Sequence, residues 1–222
     1  MLTNIFSHLS EYLITVPAVL LALIFHEVSH GYMAYKLGDP TARNVGRLSL
    51  NPLVHLDLFG TLCMIFFHFG WAKPVPVNSR YFKNPKRDMA LTALAGPLTN
   101  LLLAFFAVPF YSLLLNAYAG QPGSFVGVLC FYSALFFYYF HLVNIGLAVF
   151  NLIPLPPLDG SRLLLVFLPP KTYFELMRYE RYIQIGLIIF LLLGYRLGIL
   201  SLLSSFLSGG MEAVWRVIPL FR

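Results

Sequence analysis

The sequence predicts an all-α membrane protein, with about four transmembrane helices plus a re-entrant, partly β-like segment. Three observations predict it. Hydrophobic residues make up 59% of the 222 and charged residues 11%, against about 45–50% and about 25% in an ordinary soluble domain, so the chain cannot cover itself with polar groups in water. The apolar residues collect in runs of about 20, long enough to cross hydrocarbon as helices. The Lys and Arg residues, which give a net charge of +6, lie in short segments beside those runs. Anchoring at a cytoplasmic face explains them, and nucleic-acid binding does not.

The first span is read at about Tyr12–Leu37 and stops at Gly38-Asp39-Pro40. Met1–Ser10 lacks Lys and Arg and no small-residue cleavage site follows the first apolar run, which argues against a cleavable signal, so the segment is expected to stay. Thr41–Asn51 is polar, and its Val45, Leu48 and Leu50 suit a strand or hairpin. Leu56–Trp71 is apolar but bounded by Asn51-Pro52 and Lys73-Pro74-Val75-Pro76, and a run of about 16 is short for a span. It is expected to dip in and return, followed by extended backbone over Ala72–Asn78. Further spans are read at Met89–Leu115, Phe125–Leu152 and Ile183–Leu207. This arrangement puts Arg43, Lys83 and Lys171 inside and the uncharged Ala117–Ser124 outside. No repeat or linker sets off a second domain, so residues 1–222 read as one integral membrane domain.

Cys63 and Cys130 both lie in apolar stretches, which excludes a disulfide framework and a Cys-based zinc site. Any metal must be held by His and carboxylate. His26-Glu27-Val28-Ser29-His30 has the pattern H-E-x-x-H. On a helix, positions i and i+4 share a face, so both imidazoles reach one ion, and Glu27 beside them approaches a water on it. Ionisable groups on an apolar helix are costly unless they coordinate or pair. A catalytic zinc usually has a third protein ligand, for which the candidates are His55, His68, His141, Asp57, Asp88 and Asp159. Asp159 stands out: Pro154, Pro156 and Pro157 break the helix end before it and Gly160 follows, so a carboxylate there can point inward.

HEVSH in the first span, GPLTN in a later one and NLIPLPPLDG after that resemble the site-2 protease family of intramembrane zinc metalloproteases. The segments His55–Thr61 and Gly70–Asn78 add to the likeness. The short form fits, since the loop at Ala117–Ser124 leaves no room for an inserted PDZ domain. The interval before Asp159 carries an added proline step, Leu155-Pro156-Pro157. The resemblance implies Zn2+ held by His26, His30 and Asp159, with Glu27 as general base, and the residues read alone lead to the same four.

The expected function is therefore hydrolysis of peptide bonds in single-span membrane proteins near the cytoplasmic face, by a multi-pass protein of a bacterial-type cell membrane. Asn151 is a candidate for hydrogen-bonding the substrate backbone or developing oxyanion. Asn100 divides between lining the site and packing helices. His55 and Asp57 suit either a contact to a zinc ligand or an interfacial place, and His8, His68 and His141 read as exposed or packing. Ala72–Asn78 is placed to pair with an unwound substrate as an added strand. A transporter or assembly factor that binds metal through the same residues is the alternative.

Overall fold

The chain stops its first helix where its sequence supplies a break. Helix α1 (Leu2–Lys36) ends before Gly38, whose φ of +109° suits a residue without a Cβ. The buried Asp39 carboxylate then accepts from the Thr41 N–H at 3.0 Å and from the Thr41 hydroxyl. That local hydrogen bonding starts the short helix α2 (Thr41–Asn44), and Gly46 turns the chain at φ +70°. A helical turn at Thr41–Asn44 and irregular backbone after it thus replace the strand or hairpin expected from Val45, Leu48 and Leu50, with the Asp39 side chain taking the Thr41 N–H in place of a ladder partner.

The computed structural model describes residues 2–67, 72–192, 198–218 and 221. His68, Gly70, Trp71, Arg222, the end of the expected re-entrant run and the middle of the expected span at 183–207 lie outside the described residues. Short helix α3 (Pro52–His55) is capped by Asn51, which accepts from the Leu53 N–H. Helix α4 (Leu58–Phe67) follows, and Leu56 pairs antiparallel with Ala72. Long helices α5 (Pro85–Gly120) and α6 (Phe125–Asn151) come next. The chain continues through α7 (Asp159–Phe167), α8 (Pro170–Arg178), α9 (Glu180–Leu192) and α10 (Gly198–Arg216).

Among the described residues, three helices are long and apolar enough to cross a membrane: Tyr12–Lys36 within α1, then α5 and α6. An all-α membrane class therefore holds. On α5, Leu102, Phe106 and Phe110 stand four residues apart and are 59%, 53% and 52% exposed. Water would penalise such a stripe on one helix face, and lipid does not.

The chain divides into two compact units. One comprises residues 1–22, 100–147 and 199–222. Small side chains at Ala18, Ala22 and Ala107 meet Phe140 in its core, which lets helices pack closely. A polar tie runs through this packing: the Asn100 amide donates to Ala22 O at 3.2 Å and to Asn144 Oδ1 at 2.6 Å. Asn144→Leu should remove that acceptor and cost about 1 kcal/mol, visible as a lower Tm in detergent. An unchanged Tm would mean that the tie adds nothing. The second unit, residues 23–99 and 148–198, contains every residue of the cluster below.

Candidate metal centre

His26 and His30 lie one helical turn apart on α1, with ring centroids 4.6 Å apart and planes near perpendicular. Both are buried. Their Nε2 atoms approach to 3.0 Å, and each meets Asp159 Oδ2, at 3.0 Å from His26 and 3.1 Å from His30. A buried trio of this kind needs a shared cation or shared protons. Tetrahedral zinc with donors at about 2.0–2.2 Å holds neighbouring donors about 3.3 Å apart. The spacing here is close to that, so the residues present fit zinc. The His30 Nδ1–H donates to Thr92 O at 2.7 Å, which fixes the tautomer that leaves Nε2 free as a ligand atom.

Asp159 is delivered by the break between α6 and α7. Two tight turns, Leu155 N–H to Ile153 O at 2.8 Å and Leu158 N–H to Leu155 O at 2.9 Å, fold residues 152–158 back. Gly160 seats α7 against them: a Cβ there would lie 2.4 Å from both Leu152 O and Ile153 O. Burial alone would push the Asp159 carboxyl up, but the imidazoles of His26 and His30 outweigh it and hold it well below the ordinary carboxylate range. A carboxylate ligates a metal as the anion.

The Glu27 carboxylate accepts from the Val75 N–H at 2.8 Å through Oε2. Val75 belongs to the extended segment 72–78, which side chains and backbone pin along its length. The Lys73 N–H donates to His55 O at 2.8 Å, the buried Arg47 guanidinium donates to Lys73 O and Pro74 O at 2.7 and 2.9 Å, and the Asn78 N–H donates to Asp39 Oδ2 at 2.6 Å. Gly31, next to His30, gives the Val75 side chain its seat, since a Cβ at Gly31 would lie 2.9 Å from Val75 Cγ1.

Of the six candidates for a third ligand, Asp159 joins the two histidines, the one such grouping of three among the described residues. His55 Nε2 donates to Ser49 O, Asp57 accepts from the Gly60 N–H at the start of α4, and Asp88 accepts from the Asn84 N–H and from Arg87. These are local structural bonds. His141 donates through Nδ1 to Ala104 O and meets Ser208 Oγ at 2.8 Å, a packing role. Asn151 ends α6, and the Asn100 amide is engaged with Ala22 and Asn144, which favours the packing side of its two readings. In the sequence Val75 is one residue of an expected extended segment and Arg47 one of the anchoring cations, with no role at the site. Gly96 was visible as the first residue of GPLTN but without a role, yet a Cβ there would meet His30 Nε2 at 2.5 Å and His26 Cε1 at 2.7 Å. That closeness is what brings α5 against the imidazoles.

Residues 125–193 match the family described as Peptidase family M50. Three curated relatives carry "Putative zinc metalloprotease" in their names. The chain is 42% identical to YwhC of Bacillus subtilis over 180 residues, covering 80% of this chain and 78% of that one. It is 29% identical to Rip2 of Mycolicibacterium smegmatis over 171 residues, 75% of this chain and 61% of that one. It is 32% identical to MJ0611 of Methanocaldococcus jannaschii over 154 residues, 69% of this chain and 70% of that one. No solved structure matches.

Proposed function

Because the chain belongs to the site-2 protease family of zinc metalloproteases, Peptidase family M50, we propose that it cleaves single-span membrane proteins near the cytoplasmic face, using His26, His30 and Asp159 as zinc ligands and Glu27 as general base. The chain is a zinc metalloprotease of the membrane. The observation that carries the site assignment is the meeting of three donor atoms, from α1 and from the start of α7, beside a carboxylate one residue away. Held there, zinc supplies Lewis acidity and lowers the pKa of a water toward about 7.

The protein's own groups do the rest. Glu27 takes a proton from the attacking water, whose oxygen adds to the scissile carbonyl carbon, and returns that proton to the amine as the C–N bond breaks. The Val75 N–H holds one Glu27 oxygen, and the carboxylate keeps lone pairs with which to take the proton. Asn151, at the end of α6, is assigned to the substrate backbone or the developing oxyanion. The same donor set would serve a metal-binding transporter, and the names of the relatives favour the protease.

The test is comparison of membrane proteomes from cells making the wild-type chain or Glu27→Gln. Fragments of single-span proteins that vanish in the variant support the reading, and identical proteomes would remove it. His26→Ala, His30→Ala and Asp159→Ala should each lower zinc below one ion per chain, measured by elemental analysis of the purified protein. If Asp159→Ala kept both zinc and cleavage, the third ligand would have to be another residue.

Topology extends the proposal: four spans, with the segment after Leu56 returning to the side it left. The antiparallel pairing of Leu56 with Ala72 supports this, because it sets the start and finish of the excursion side by side. In a chain with Cys63 and Cys130 replaced by Ser, an impermeant thiol reagent should reach Ala119→Cys from outside and Lys83→Cys and Lys171→Cys only from the cytoplasm. Labelling of Lys83→Cys from outside would mean a full crossing.

A further inference from the structure

We propose that Arg47 is a positioning residue for hydrolysis: by clamping the extended segment at Lys73 and Pro74 it sets the Val75 N–H that orients the Glu27 carboxylate. The proposal rests on the reading of Glu27 as the base. A carboxylate on a helix has free rotation about its side-chain bonds unless something fixes it, and here the fixing group is a backbone N–H at 2.8 Å. A backbone donor is only as well placed as its segment. Among the described residues, 73–78 have no adjoining strand to hold them beyond the single pairing at Ala72, and Pro74 and Pro76 have no N–H with which to bond.

Arg47 replaces the missing strand. It follows α2, where its own N–H donates to Ala42 O at 2.8 Å, and its guanidinium is buried against two successive carbonyls immediately before Val75. A buried cation spent on carbonyls is costly to desolvate, and the geometry gives it a task that charge anchoring does not explain. Four elements thereby converge on one proton acceptor: Arg47 on the segment's carbonyls, His55 on the Lys73 N–H, Gly31 under the Val75 side chain and Val75 itself on Glu27. Misplacing a catalytic group by about 1 Å can cost about 10²-fold in rate, which is the scale expected when the clamp opens.

The full-length chain tests this in membranes through four variants, Val75→Pro, Val75→Ala, Arg47→Ala and Arg47→Lys. Two quantities are read: zinc per chain, and the rate at which the Glu27-dependent fragments appear. Val75→Pro deletes the donor while keeping extended backbone, and Val75→Ala trims the side chain while keeping the donor. Val75→Pro and Arg47→Ala should keep zinc and slow cleavage by about 10²-fold. Val75→Ala should slow it only a few-fold, and Arg47→Lys, which retains a cationic donor, should recover most of the loss in Arg47→Ala.

Equal rates for Val75→Pro and Val75→Ala would overturn the proposal, since the N–H would then be irrelevant. So would loss of zinc in Arg47→Ala, which would make Arg47 a requirement for the fold, or full cleavage by that variant. Identical fragments from wild type and Glu27→Gln would instead remove the base assignment, and the positioning role with it. Glu27-dependent cleavage that is indifferent to Val75→Pro removes the positioning role alone.

Discussion

Glu27→Gln is expected to keep one zinc per chain and lose about 10²–10⁴-fold in turnover, the range that a general base contributes. The amide has nearly the shape of the carboxylate, and its oxygen can still accept the Val75 N–H that Glu27 Oε2 accepts at 2.8 Å. The zinc ligands are other residues, so metal content should not move. Glu27→Asp separates the charge from its place. It keeps a carboxylate but withdraws it by one methylene, and should lose on the order of 10²-fold while also keeping zinc. In acid, wild-type activity should fall in step with zinc content, because protons compete with the metal for its ligands. A rate that drops while zinc stays bound would put the cause elsewhere. Full activity in Glu27→Asp would remove Glu27 as the base.

The second large effect is expected at Gly96. A methyl group there would sit 2.5 Å from His30 Nε2, 2.6 Å from His30 Cε1 and 2.7 Å from His26 Cε1. Separations so short require one partner to move. The imidazoles are buried and His30 is bonded to Thr92 O at 2.7 Å, and overpacking of this kind costs about 1–3 kcal/mol. The strain falls on His30 Nε2, proposed to grip the metal, and on the Cε1 edge of both rings. Gly96→Ala should therefore weaken zinc by about 10–100-fold, the loss typical when groups supporting a ligand are disturbed, read as faster zinc release to a chelator in detergent. Zinc retention equal to wild type would mean that α5 shifts without disturbing the histidines.

What the sequence revealed and what it hid divide along a physical line. HEVSH could be read because i and i+4 share a helix face whatever surrounds them, and Asp159 because three prolines and a glycine announce a broken helix end. The composition foretold helices with exposed apolar faces, seen at Leu102, Phe106 and Phe110. Val75 was hidden because its contribution is a backbone N–H, which every residue but proline has. Arg47 read as one more anchoring cation, since sequence does not separate a guanidinium at the interface from one buried against carbonyls. Gly96 stood in GPLTN, but its approach to the imidazoles was hidden because a close approach is set by the partner helix. In Thr41–Asn51 the alternation of Val45, Leu48 and Leu50 suggested β-structure, but the Asp39 carboxylate and Gly46 took the backbone into turns.

The pinned segment at residues 73–78 also bears on how the protein avoids sticking to its neighbours. Its N–H groups are nearly all used or missing: Lys73 gives its own to His55 O, Val75 to Glu27 and Asn78 to Asp39, while Pro74 and Pro76 have none. Among the described residues this leaves Val77's. Exposed extended backbone ordinarily invites another copy to zip alongside through alternating donors and acceptors, the route to fibres and swapped strands. A stretch short of donors cannot propagate such a zip. It can still receive N–H groups on the carbonyls that Arg47 does not hold, so any extended peptide that settles there must supply most of the hydrogens itself, and proline or N-methyl residues in that peptide should weaken the match.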